Sequence, residues 1–234
     1  MKTIGVIGGM SWESTELYYR RLNEAVRQRV GGLHSAPIVL HSVDFAPIEA
    51  CQMAGDWDGA ADILCDAARG LEAAGADFFL IATNTMHHVA KPVADAVAIP
   101  LLHLGDATAR HAVDRGLTHV GLLGTRFTME MPFYTDRLAD HGLTVSTPND
   151  EDRAIVHRVI YDELCNGVID DTSRAHYVRV IASLAFDGAD AVILGCTEIG
   201  LLVTPEHTDV PLLDTTQIHV DAAIDVALGE RSLD

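Results

Sequence analysis

Two short segments carry the side chains best suited to proton chemistry, Thr83-Asn84-Thr85 and Cys196-Thr197-Glu198. Each ends an apolar run that opens on the same turn. Gly75-Ala76-Asp77 leads into FFLIATNT, and Gly188-Ala189-Asp190 leads into AVILGCTE. Eight residues on from the first glycine of each turn stand Thr83 in one copy and Cys196 in the other. A lone cysteine is more often a small buried hydrophobe, and Cys51, Cys65 and Cys165 read that way. Cys196 differs by standing at a strand end before two polar residues, where a thiol can serve as an acid–base group or nucleophile. A helix starting at Thr197 would offer free N–H groups and lower the thiol below its free pKa of about 8.5.

Other chemistries lack their spacing. GVIGGM at 5–10 is a tight strand–helix turn, but a dinucleotide site needs G-x-G-x-x-G, and no Walker A motif is present. No G-x-S-x-G marks a serine hydrolase. Twelve histidines include the pair His87-His88, yet there is no HExxH and no Cys/His cluster at ligand spacing. Neighbouring histidines on a helix point in different directions, so these read as core or solvated residues, and no metal is expected.

The elements that must position these residues follow from the apolar pattern. The 234 residues are 48% apolar, enough for a packed core. No apolar run approaches the roughly 20 residues that span a bilayer. MKTIGVIGGM is too short and glycine-rich for a signal peptide and reads as a first strand, so a cytoplasmic protein is expected. Four cysteines without a CxxC pair do not suggest a disulfide framework. Against 34 acidic residues stand 16 basic ones, a net charge of −18 that disfavours nucleic acid and anionic membranes as partners.

Short apolar runs at 3–8, 37–43, 78–82, 101–104, 119–124, 143–146, 191–195 and 211–213 read as buried parallel strands. Amphipathic stretches at 13–29, 58–74, 107–115, 129–141, 154–165, 173–186 and 216–228 read as helices. The alternation predicts an α/β fold with doubly wound parallel sheets. It also repeats, since Gly5-Val6-Ile7-Gly8 matches Gly121-Leu122-Leu123-Gly124, offset by 116 residues, and the GAD turns are offset by 113. Two pseudosymmetric halves are therefore expected, 1–98 with a returning C-terminal helix at 212–234, and 99–211. Ligands of open parallel sheets sit at the carboxyl ends of strands. The expected site lies between the halves, lined by Gly9-Met10-Ser11, Thr83-Asn84-Thr85, Thr125 with Thr128, and Cys196-Thr197-Glu198.

The combination of GVIGGMSWEST at 5–15, TNT at 83–85, GTRFTM at 124–129 and GCTE at 195–198 resembles the aspartate/glutamate racemase family over essentially the whole chain. The resemblance implies an amino-acid racemase that uses no pyridoxal phosphate or other cofactor, acts on a small amino acid and forms a homodimer. It implies a two-base mechanism, with one residue removing the α-proton and another protonating the opposite face. On this pattern the proton carriers are Thr83 and Cys196. Asn84, Thr85, Thr125, Thr128 and Thr197 would hold the α-carboxylate and the developing enediolate, and Glu198 the ammonium. Met10, Ser11 and Gln52 are further substrate contacts, and Arg126 could reach a side-chain carboxylate. The family pattern has cysteine at both strand ends, and this chain has threonine at the first, a far weaker acid. A single-cysteine enzyme like the related arylmalonate decarboxylases, or a binding protein without catalysis, are the alternatives.

Overall fold

The computed structural model describes residues 1–233, which form two compact units. The first comprises Met1–Leu104 and the chain from His219 on, the second Gly105–Ile218. In the first, β1 (Ile4–Gly8) is followed by α1 (Trp12–Val30), β2 (Ile38–Ser42), α2 (Phe45–Ala54), α3 (Trp57–Ala73) and β3 (Phe78–Ile81). A 3-10 turn at Thr85–Val89 runs into α4 (Ala90–Asp95). The strands are parallel in the order β2-β1-β3, with Ile4 in register with Ile38 on one side and Phe78 on the other. β1 and β3 are buried throughout, as their unbroken apolar runs require, whereas β2 is the edge strand and largely exposed.

The strand expected at 101–104 is reduced to one parallel bridge between Leu101 and Phe79, because α5 (Leu104–Asp114) already begins at Leu104. Leu102 N–H still donates to Phe79 O at 2.8 Å, so this segment packs with the first sheet and the unit boundary falls after Leu104.

The second unit continues through β4 (His119–Gly124), α6 (Arg126–Glu130), α7 (Pro132–Asp140), β5 (Thr144–Ser146), α8 (Asp150–Asp162), a 3-10 turn at Leu164–Asn166, α9 (Asp171–Phe186), β6 (Ala191–Gly195), α10 (Ile199–Leu202) and β7 (Leu212–Asp214). Its strands are parallel in the order β5-β4-β6-β7. The single helix expected at 129–141 is two helices. Met131 is extended (φ −87°, ψ 142°) ahead of Pro132, which disfavours the helical conformation in its predecessor and starts α7 at its own first position. α11 (Thr215–Leu228) begins in the second unit and ends in the first, where Ala227 O accepts from Lys2 N–H and Asp225 pairs with Arg29.

Both units therefore share one winding. The first strand lies in the interior of its sheet, the second at the edge, and the third on the far side of the first. Each sheet packs on its own apolar core, built from Ile7, Leu64, Leu71, Phe79 and Ile81 in one unit. Leu123, Val156, Tyr177, Ile181 and Leu194 form the other. Among the described residues, no helix is long and apolar enough to cross a membrane.

Candidate active site

In sheets wound this way the connections leave in opposite directions from the first and third strands, opening a crevice at their carboxyl ends. In the first unit the chain leaves β1 through Gly9 (φ 94°), where a Cβ would stand 2.1 Å from Val43 O, so no other residue fits. Met10 is buried, and Ser11 caps α1, its Oγ accepting from Ser14 N–H at 3.3 Å. Thr15 Oγ1 stitches the turn together by accepting from Gly9 N–H at 2.7 Å and donating to Ser11 O at 2.8 Å. Its methyl occupies the space a side chain at Gly8 would need, 2.4 Å from a Cβ built there.

From the neighbouring β3 the chain passes through Ala82 into Thr83, which is partly exposed, and then into buried Asn84 and Thr85. The carbonyl of Thr83 accepts from Nδ1 of buried His87 at 2.8 Å. Gln52, on α2, is buried with Nε2 3.1 Å from Met86 Sδ. The structure thus gathers Met10, Ser11, Thr83, Asn84 and Thr85 at adjacent strand ends, with Gln52 on a separate helix.

The second unit is built alike. Thr125 caps α6, accepting from Thr128 N–H at 3.3 Å, and the two threonine hydroxyls lie 3.3 Å apart. Gly124 and Gly195 are paired in register, and a Cβ on Gly195 would meet Leu123 O at 2.7 Å. Beyond Gly195 stands Cys196, partly exposed like Thr83 and followed by buried Thr197 and Glu198. Arg126 is exposed, its guanidinium carbon 5.3 Å from the centre of the Phe127 ring.

The electrostatics of Cys196 differ from the expectation. α10 begins at Ile199, has four residues, and carries Glu198 rather than Cys196 at its cap. The thiol donates to Oε2 of Glu198 at 2.9 Å. Burial, then the negative charge of Glu198, then Cys165 and the hydrogen bond itself push the thiol well above its ordinary value. Cys196 therefore rests as a thiol beside a carboxylate and not as the thiolate that a helix start at Thr197 would favour.

His87, His219 and Tyr18 were not singled out as site residues in the sequence. The signal for His87 is its place four residues after Thr83, one helical turn on. Among the described residues, no group of three or more His, Cys, Asp or Glu is arranged to hold a metal ion.

The family model of the Asp/Glu/Hydantoin racemases matches residues 7–223, both strand-end clusters included. The chain belongs to that racemase family. Solved structures agree with the assignment. A candidate Asp/Glu racemase from Yersinia pestis is 53% identical over 97% of this chain and 100% of that one, with a TM-score of 0.92. An aspartate racemase homologue from Pyrococcus horikoshii is 35% identical with the same coverage, 97% and 100%, and a TM-score of 0.86. The broad specificity amino-acid racemase RacX of Bacillus subtilis is 20% identical over 98% of this chain and 100% of its own length.

Proposed function

We propose that this racemase-family chain inverts the α-carbon of aspartate- or glutamate-type amino acids without pyridoxal phosphate or metal, with Thr83 and Cys196 each serving one face. The observation that carries the reading is the Cys196–Glu198 contact: a thiol at a strand end with a carboxylate 2.9 Å away to take its proton. In the direction that Cys196 initiates, its proton moves from Sγ to Glu198 Oε2. The thiolate then removes the α-hydrogen, and the electron pair left on carbon delocalises into the substrate carboxylate as an enediolate. Thr83 Oγ–H protonates the opposite face while taking a proton from water, and Glu198 gives up its proton through solvent to the hydroxide so formed, which restores the resting thiol and carboxylate. The reverse direction runs the same transfers backwards, with the Cys196 thiol as the acid.

Without a cofactor to absorb charge, the enediolate depends on preorganised donors. Thr125, Thr128 and Thr197 beside Cys196, and Ser11, Asn84 and Thr85 beside Thr83, supply hydroxyls and an amide for the α-carboxylate and the enediolate. Met10 and Gln52 complete the set of substrate contacts. In this reading Glu198 is the proton acceptor of Cys196 rather than the ammonium ligand.

Incubating each enantiomer of aspartate and glutamate in deuterium oxide, with optical activity and α-deuterium followed together, tests the proposal. Conversion of both enantiomers towards an equal mixture without added cofactor is expected. Persistent optical activity would count against it, and release of carbon dioxide from a malonate-type substrate would instead favour the single-cysteine reaction.

A further inference from the structure

The Thr83 hydroxyl is a weak acid, so delivery of its proton depends on aim, and a misplacement of about 1 Å can cost on the order of a hundredfold. His87 holds the backbone at that point. Its Nδ1 lies 2.8 Å from Thr83 O, and its Nε2 lies 3.1 Å from Leu104 N. A carbonyl can only accept and an amide N–H can only donate. Both contacts are therefore met by one form of the ring, the neutral tautomer with the proton on Nδ1.

A second buried imidazole backs the first. His219 Nε2 lies 2.9 Å from Leu102 O and its Nδ1 3.0 Å from the Tyr18 hydroxyl, so it carries its proton on Nε2. The two rings lie 6.1 Å apart, and His103 packs edge-on against His87 at 4.6 Å. Leu102 and Leu104 flank His103, so the two imidazoles grip alternate residues of one short segment, and His87 joins that segment to the Thr83 carbonyl.

We infer that His87 is a positioning residue for Thr83, aiming its hydroxyl by tying the Thr83 carbonyl to the backbone at Leu104. The inference rests on the Thr83/Cys196 reading above. Two substitutions separate the halves of the contact. His87→Asn keeps a donor near the Nδ1 position and drops the Leu104 acceptor, while His87→Gln keeps an acceptor near Nε2 and drops the donor to Thr83.

For each variant, inversion and α-deuterium uptake without inversion are measured in deuterium oxide. Cys196 can still form the enediolate and return a solvent deuteron to the same face. His87→Gln should lose inversion about ten- to a hundredfold while uptake at the Cys196 face stays within about threefold of wild type. His87→Asn should largely preserve the ratio of the two rates. A histidine that only fills the core would shift both variants alike, and equal ratios would overturn the inference. Long-range proton–nitrogen correlation spectra of the wild type supply a test that needs no variant to fold. They should show His87 protonated on Nδ1 and His219 on Nε2, and a proton on Nε2 of His87 would overturn it. A wild type that neither exchanges nor inverts would sink the racemase reading and the inference with it. An active wild type with indifferent variants sinks the positioning role alone.

Discussion

Cys196 Sγ donates to Glu198 Oε2 at 2.9 Å, so the thiol proposed to remove the α-hydrogen points its own proton at a carboxylate two positions along the chain. Because the carboxylate charge raises the thiol, removing that charge must lower it. Glu198→Gln should therefore move the pH midpoint of Cys196 alkylation by iodoacetamide downwards. Racemisation should fall by about a hundredfold, because the easier thiol has lost its proton acceptor. An unshifted midpoint would remove Glu198 from the role given to it here.

Cys196→Ser keeps nearly the same volume and should keep the fold, read as an unchanged urea midpoint. Exchange of the α-hydrogen should drop at least about a hundredfold, the usual contribution of a principal acid–base group. Retention of a tenth or more of wild-type exchange would make the cysteine structural.

Thr83→Ala should abolish inversion and leave deuterium uptake at the Cys196 face. Thr83→Cys should accelerate whichever enantiomer the wild type converts more slowly, since a thiol is a stronger acid than a hydroxyl and is far more readily converted to its conjugate base. Initial rates from each pure enantiomer decide this, and an alanine variant that racemises at the wild-type rate would reduce Thr83 to a wall residue.

His219 gives a pH dependence of stability. Burial lowers its pKa to about 3, with the neighbouring His87 adding to the effect, while in an unfolded chain it titrates near 6.5. Between those values the unfolded state binds a proton the native state refuses. The native state is unpenalised above pH 6.5 and loses up to about 1.4 kcal/mol for each pH unit below it, down to about 3. Urea unfolding of wild type and His219→Gln at pH 7.5 and 4.5 should show the steeper acid loss in the wild type. His88 and His157 are lowered in the same sense but are present in both proteins, so the difference isolates His219.

Gly8→Ala should cost about 1–3 kcal/mol by overpacking, because its Cβ would lie 2.4 Å from Thr15 Cγ2. Thr15→Ser in the same background removes that methyl and should restore part of the loss. No recovery in the double variant would mean that the clash lies elsewhere.

The β/α alternation was legible because β1, β3, β4 and β6 are buried on both faces and read as unbroken apolar runs. α2 was not legible. It carries Pro47 in its first turn and no strong apolar stripe, and only Asp44, whose carboxylate accepts from Ala46 N–H, marks its start. At the site, equal distances from two Gly-Ala-Asp turns marked Thr83 and Cys196, which stand partly exposed just beyond the ends of β3 and β6. What those residues touch was less accessible. The thiol–carboxylate contact depends on α10 starting two residues later than expected, and the His219–Leu102 bond joins positions 117 residues apart.

The discontinuity of the first unit has a consequence for the order in which the protein is made. Residues 105–218 are contiguous, so the second unit can close once that stretch has left the ribosome. The first unit, although its residues 1–104 are translated earlier, lacks the segment that supplies His219, Asp225 and Ala227 until residues 219–228 emerge. His219 reaches Tyr18 and Leu102 only then. Residues 1–104 are thus synthesised before residues 105–218 but completed after them, and a nascent protein stalled before residue 219 would present the first sheet without the part of α11 that packs on it.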